Sequence, residues 1–161
     1  MFIAMAAPIQ WVSLGLEDNK ALVRRHFELI SGGDANGGAS LYAPKSSNHG
    51  RQVSREDVRA VLESLVELDE KFTIHEIIAE GDWVACRAMV SGRHSSQPRT
   101  SVGSGVYSLA EPKGQIYSLQ HMHLFRIVDG LIVEHWANRD DLGVARQLGL
   151  ELGPVERERS K

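Results

Sequence analysis

The sequence predicts an α+β fold, in which N-terminal helices pack on one face of a curved, mostly antiparallel sheet and enclose a pocket. Three observations lead to this class. Two helical patterns occupy the first half of the chain, and four strand-like runs follow them. The last two runs flank Asp129-Gly130, a dipeptide typical of a tight β-hairpin. A length of 161 residues suits one domain with one core.

The first predicted helix covers residues 16–34. Asp18 or Asn19 is a suitable N-cap, and Gly32 and Gly33 are expected to end the helix, because glycine accepts the left-handed conformation that closes one. Its apolar positions recur with a period near 3.6 residues and form the predicted buried stripe: Leu22, Val23, Phe27 and Ile30. Short turns are expected up to Pro44, followed by a polar loop over 45–53.

A second helix is predicted over residues 54–70. Ser54 is the expected N-cap, and Glu56 and Asp57 lie in the first turn, where the helix dipole favours negative charge. After this helix the pattern changes to strands, predicted over 72–80, 83–94, 115–128 and 131–140. A short helix over 141–150 is expected to end the domain.

The composition excludes several function classes. Hydrophobic residues make up 42% of the chain, and the net charge of −3 with no dense basic run argues against nucleic acid as a partner. Cys86 is the only cysteine, so no internal disulfide can form, and no Cys/His metal motif is present. No run is long enough to span a membrane, and the start lacks the basic region of a secretory signal. A cytoplasmic protein without a metal is expected.

The candidate site lies on the last two strands. His121 and His123 share one strand face, and Trp136, Asn138 and Asp140 share a face of the next strand. We expect both sets on the same side of the sheet, lining a pocket. A carboxylate beside imidazoles in an apolar cleft is a suitable arrangement for general acid/base catalysis.

Structural roles for the same residues remain open. The two histidines could instead lie on a solvated outer face. Asp140 and Asp141 could cap the terminal helix, and Arg139 could form a surface ion pair. Structural or exposed positions are expected for three other histidines, His26, His75 and His135.

Several motifs carry a family resemblance. The segments "IIAEGDWV", "SGRH" and "FRIVDGLIVEHWANRDDLG", within a frame that runs from Asn19 to Leu150, resemble the SnoaL-like polyketide cyclases of the nuclear transport factor 2-like superfamily. The resemblance implies a cone-shaped α+β barrel, often paired through its sheet as a homodimer. It also implies an intramolecular aldol condensation of a small hydrophobic, polyketide-like substrate, without metal or cofactor.

The resemblance also assigns roles to residues. Asp140, four residues after the Trp of the final strand, corresponds to the general acid/base. His121 and His123 are the accompanying catalytic imidazoles. The resemblance also implies that Asn48 and Gln120 orient the substrate. Apart from the resemblance, the sequence offers four further candidates for substrate binding: Phe27, His94, Trp136 and Asn138.

Two other functions compete with a cyclase or isomerase. One is a non-catalytic binding or dimerisation module on the same fold. The other is an epoxide hydrolase that uses two aspartates and an arginine, which residues 139–141 suggest; this is disfavoured because consecutive side chains cannot all enter one pocket. The expected organisation is an N-terminal extension over 1–17, the α+β barrel domain over 18–150 and a charged tail over 151–161.

Overall fold

The structure is a computed structural model that describes residues 10–98, 105–151 and 153. Most of the predicted N-terminal extension and of the charged tail therefore lies outside the described residues. The described residues form four α-helices, α1 Gln10–Ser31, α2 Ala35–Ser40, α3 Arg55–Glu67 and α4 Asp141–Gln147, and a 3₁₀ helix that spans Gly105–Leu109. The six strands are β1 Tyr42–Asn48, β2 Arg51–Ser54, β3 Lys71–Glu80, β4 Trp83–His94, β5 Gln115–Val128 and β6 Leu131–Arg139.

The strands form one curved sheet in the order β2-β1-β6-β5-β4-β3. All neighbouring strands are antiparallel except β1 and β6, which run parallel. The sheet stays open at β2 and β3, and helices complete the cone. The predicted α+β class, with a curved, mostly antiparallel sheet and N-terminal helices, is confirmed.

Helix α1 starts earlier than predicted. Because it begins at Gln10, Asp18 and Asn19 lie within the helix, and the expected N-cap there is wrong. The predicted end is correct: Ser31 is the last helical residue, and Gly33 adopts a φ of +87°. Val23, Phe27 and Ile30 are buried, as the apolar stripe predicts.

Helix α3 begins as the sequence predicts. The Asp57 backbone N–H donates to Ser54 Oγ at 3.1 Å, and Asp57 Oδ2 accepts from the Ser54 backbone N–H at 2.8 Å. This reciprocal capping box fixes the start of the helix. Val58 and Leu62, on the apolar face of α3, are buried in the core. The helix therefore covers the cone with its apolar face.

Strands β1 and β2 replace the polar loop that the sequence predicts. They form a hairpin in which Asn48 pairs with Arg51, and the turn residues His49 and Gly50 both have positive φ, at 50° and 77°. Such a turn normally carries Asn-Gly or Asp-Gly, so His-Gly gives a weak signal. Beta1 then pairs with β6 and supplies one wall of the cone.

The buried apolar residues fall into two clusters. The first joins α1, α2 and α3 to the start of β4, the end of β5 and the start of β6, and includes Val23, Leu62 and Phe125. The second lies around Tyr107, Tyr117 and Val144 near the 3₁₀ helix and α4. Cys86 belongs to the first cluster, and burial raises the pKa of its thiol to about 12, so it is an inert core residue. No helix in the described part of the chain is long and apolar enough to cross a membrane.

Candidate functional site

A cavity of about 380 Å³ lies between helices α1 and α3 and the concave face of the sheet. Its apolar part comes largely from the helices and from β3, through Phe27, Val58, Leu62, Leu65 and Phe72. The polar part comes from α1, the β1–β2 hairpin, β5, β6 and the start of α4, through His26, Asn48, His49, His121, His123, His135, Asn138, Arg139 and Asp141. The cavity therefore has an apolar wall that faces a polar one.

The register between β5 and β6 decides which residues form the polar wall. His121 pairs with Arg139, His123 with Ala137 and Phe125 with His135. Directly opposed residues of an antiparallel pair share one face. The histidine face of β5 therefore continues into the His135 and Arg139 face of β6. The expectation that it continues into Trp136 and Asp140 is wrong, although Asn138, near the end of β6, does line the cavity.

A β-bulge is the physical reason for this difference. Next to the Asp129-Gly130 turn, Val128 pairs with Leu131 and Ile127 with Ile132, but Arg126 then pairs with Glu134. Val133 is the extra residue. A bulge shifts the register by one, and a shift of one residue exchanges the two faces of the strand beyond it.

The histidines form a continuous cluster along the polar wall. The ring centroids of His121 and His123 are 4.6 Å apart, and His123 Nδ1 lies 3.1 Å from His135 Nε2. His135 also stacks on Phe125 at 4.5 Å. His26 and His135, expected to be structural or exposed, both line the cavity. Only the bulge brings His135 to this face, and its position cannot be read from the alternation of residues.

These imidazoles are neutral at physiological pH. Burial lowers the pKa of His26 and of His121 to about 4, and the charge of Arg139 adds to the effect at His121. Burial and repulsion between neighbouring imidazoles hold the pKa of His123 and of His135 well below the usual range. His121 Nδ1, His123 Nε2 and Asn48 Oδ1 are buried without a hydrogen-bond partner among the described residues. These atoms are available to a bound molecule.

Charged groups lie at one end of the cavity. Arg139 Nε donates to Asp141 Oδ1 at 2.5 Å, and both residues line the cavity. Arg139 is mostly buried, with 18% of its side chain exposed, whereas the Asp141 side chain is 48% exposed. No group of three or more His, Cys, Asp or Glu side chains within residues 10–98 and 105–151 is arranged to hold a metal ion.

Comparison with protein families identifies the family of this chain. The family described as SnoaL-like polyketide cyclase matches residues 20–148, which is most of the chain. The chain belongs to the SnoaL-like polyketide cyclase family. No curated protein matches this SnoaL-like sequence.

Solved structures of similar proteins share the SnoaL-like fold. TsrD from Streptomyces laurentii superposes with a TM-score of 0.69 at 23% identity, over 83% of this chain and 96% of TsrD. AclR from Streptomyces galilaeus, a proposed hydroxylase, gives 0.66 at 25% identity, over 83% and 97% of the two chains. IdmH from Streptomyces antibioticus, a proposed polyketide cyclase, gives 0.65 at 25% identity, over 82% and 99%.

Asp140 does not lie where the SnoaL-like resemblance led us to expect. The Gly143 backbone N–H donates to Asp140 Oδ1 at 2.8 Å, so Asp140 is the N-cap of α4, and it is exposed and absent from the cavity lining. The carboxylate at the cavity is its neighbour Asp141. The bulge turns Arg139 of β6 inward, and Asp141, the first residue of α4, contacts Arg139 on that side.

The other expected site residues divide into two groups. His121, His123, Phe27, Asn48 and Asn138 line the cavity of this SnoaL-like protein. The remaining three lie elsewhere. Gln120 is exposed on the convex face and accepts from Arg87 Nη1 at 3.0 Å, and Trp136 is 40% exposed and donates to Glu134 Oε1 at 2.7 Å. His94 is fully buried near Tyr107, outside the cavity.

Proposed function

We propose that this chain is a cofactor-independent enzyme of the cyclase or isomerase type, which acts by general acid/base catalysis on a polyketide-like ketone or ester. One observation carries the proposal: neutral imidazoles, a guanidinium and a carboxylate converge on a single cavity with an apolar opposite wall. The apolar wall suits a ring system, and the polar wall suits the oxygens that such a substrate carries.

The proposed base is Asp141. A carbon between two carbonyl groups is acidic enough for a carboxylate to remove its proton, and the electron pair moves into an enolate. Arg139, which contacts Asp141, stabilises the enolate oxygen by its positive charge. In an aldol closure the enolate carbon then bonds to an internal carbonyl carbon, and the new alkoxide takes a proton from an imidazole N–H.

His121 and His123 are the proposed proton donors. Because both are neutral, each ring carries one N–H and one acceptor nitrogen, so it can donate to an alkoxide and recover a proton from the protonated base through water. Holding both carbonyl-bearing parts of the substrate in one small cavity replaces a random encounter with a fixed geometry.

The epoxide hydrolase alternative receives less support. Such a mechanism requires two aspartates beside an arginine. In the described residues the cavity lining holds one carboxylate, Asp141, while Asp140 caps α4.

The first proposed step, removal of the acidic proton, can be tested without the natural substrate. A β-diketone fused to a naphthalene ring serves as a probe, and exchange of its acidic C–H in D₂O is followed by proton NMR. We expect the protein to accelerate exchange, Asp141→Asn to remove the acceleration, and Asp140→Asn to retain it, because Asn also serves as an N-cap. If Asp140→Asn removed the acceleration and Asp141→Asn retained it, the base would be Asp140 and not Asp141. Tight binding of the probe without exchange would instead favour a binding module.

We also propose that the chain forms a homodimer through the convex face of the sheet. Ile78, Leu124 and Trp136 lie in one row across β3, β5 and β6, and they are 69%, 37% and 40% exposed. Met122, on the same face of β5, is 51% exposed. A contiguous apolar surface of this kind indicates an interface. Light scattering should give the dimer mass for the native chain and the monomer mass for Leu124→Glu; a native monomer would contradict the proposal.

A further inference from the structure

A second polar cluster lies outside the cavity, within the apolar cluster around the 3₁₀ helix. Glu70, between α3 and β3, is only 2% exposed. Its Oε1 accepts from Tyr117 Oη at 2.8 Å and from Tyr107 Oη at 3.3 Å. Its Oε2 is buried without a hydrogen-bond partner among the described residues. A carboxyl group is rarely buried so fully without a charged partner nearby.

Arg139 supplies a positive charge that acts on this carboxyl group. The guanidinium carbon of Arg139 lies 5.2 Å from the centre of the Tyr107 ring, whose hydroxyl donates to Glu70. Tyr107 therefore contacts the cation with its ring and the carboxyl group with its hydroxyl. The positive charge of Arg139 favours the ionised form of Glu70. Because Arg139 also lines the cavity, the buried cluster and the cavity share one cation.

We propose that Glu70 is a positioning residue for the cavity: through Tyr107 it holds the Arg139 guanidinium, and its charge sets how strongly that guanidinium attracts the oxygens of a bound substrate. This inference rests on the proposed function, in which Arg139 stabilises the enolate. When Glu70 is ionised, its negative charge offsets part of the positive potential that Arg139 produces in the cavity. With Glu70 protonated, that compensation is lost, and among these groups only Asp141 still offsets the Arg139 charge.

The surroundings of Glu70 make its charge responsive near neutral pH. Burial raises the pKa of Glu70 to about 7, while the Tyr117 hydrogen bond, the Arg139 charge and the Tyr107 hydrogen bond oppose this rise. Among the described residues, the titratable or charged groups at this cluster are Tyr107 of the 3₁₀ helix, Tyr117 of β5, Arg139 of β6 with its partner Asp141 of α4 and, beside Tyr107, His94 of β4. The attraction that Arg139 exerts on a substrate oxygen should therefore strengthen as pH falls through 7.

Nuclear magnetic resonance of the free protein tests this without any substrate. The Glu70 carboxyl carbon is followed by ¹³C NMR across the pH range, and the Arg139 Nε–Hε pair by ¹⁵N NMR. We expect Arg139→Met to raise the midpoint of the Glu70 titration by at least about half a pH unit, because the neighbouring cation is lost. Tyr107→Phe should raise it less, because only a hydrogen bond is removed and the ring remains beside Arg139.

The reverse experiment uses Glu70→Gln, with Glu80→Gln on β3 as the matched control because Glu80 is exposed. Glu70→Gln should shift the Arg139 resonance and remove its pH dependence near 7, whereas Glu80→Gln should change neither. The inference would be overturned if Arg139→Met left the midpoint of the Glu70 titration unchanged and Glu70→Gln left the Arg139 resonance unchanged. These readouts do not depend on catalysis, so the inference can fail while the proposed function stands, and the reverse.

Discussion

His123 Nδ1 lies 3.1 Å from His135 Nε2, so the two rings share one hydrogen bond. One nitrogen donates and the other accepts, which requires at least one of the rings to be neutral. The pair lies in a cavity wall that also holds His26 and His121. A protein that buries several neutral imidazoles together should be sensitive to acid.

Stability should rise as pH increases from 4 to 6.5. In the unfolded chain a histidine binds a proton below about 6.5, whereas burial lowers the pKa of His26 and His121 to about 4 in the folded state. Between these values the unfolded state holds more protons, so acid favours unfolding, by roughly 1.4 kcal/mol per imidazole per pH unit. Chemical denaturation followed by circular dichroism at several pH values measures this slope. His26→Phe should flatten it, and an unchanged slope would contradict the prediction.

Glu70 should act in the opposite direction. Burial raises its folded-state pKa to about 7, above the value of an unfolded glutamate, so the folded state holds the extra proton between about 4.5 and 7. Its contribution is complete below 4.5 and is lost as pH rises through 7. Glu70→Gln should therefore stabilise the protein at pH 8, by on the order of 2 kcal/mol, with little effect at pH 4.5. Thermal melts at both pH values, with Glu80→Gln as control, decide this.

Asp140→Ala should destabilise the protein by about 1 kcal/mol, because it removes the N-cap of α4. Asp140→Asn should recover most of the loss, because asparagine is also an effective N-cap. Urea denaturation of the two variants gives the comparison. Equal stability of Asp140→Ala and the native chain would show that the cap contributes nothing.

Gly92→Ala should disturb the Glu70 cluster. A Cβ at Gly92 would lie 2.5 Å from Tyr117 Oη and 2.9 Å from the Leu68 carbonyl oxygen, so the tyrosine or the strand must move. Overpacking of this kind typically costs about 1–3 kcal/mol. Gly15→Ala is the matched control: it lies in α1 with no atom near the added Cβ, and alanine favours a helix. Thermal melts should show a lower Tm for Gly92→Ala only.

The sequence predicts those elements whose signals are local. Strands β4 and β5 have the predicted limits, and the Ser54 cap of α3 is as expected, because alternation and capping are decided by neighbouring residues. Beta1 could not be predicted, since its residues are largely polar and its pairing with β6 is a long-range contact. The start of α1 was misplaced because a polar residue that suits a cap is also tolerated on an exposed helix surface.

The candidate site was predicted only in part for a related reason. The two histidines of β5 and Asn48 do lie at the cavity, but the partner face of β6 depends on one bulged residue, Val133. Nothing in the alternation of that strand marks the bulge. For this reason Asp140 and Trp136 were expected at the cavity but lie on the other side of the sheet. His135 and Arg139, which do line the cavity, were not among the expected site residues.

Val133 therefore has an importance that its own side chain does not explain. Loss of this single residue would exchange the two surfaces of the last strand, so that the indole would enter the hollow and the imidazole and guanidinium groups would face outward. A relative with one residue more or fewer at this point would keep the same residues in the rest of the strand but turn the opposite set of side chains into the cavity. An alignment of such relatives should therefore be anchored on strand pairing and not on the tryptophan.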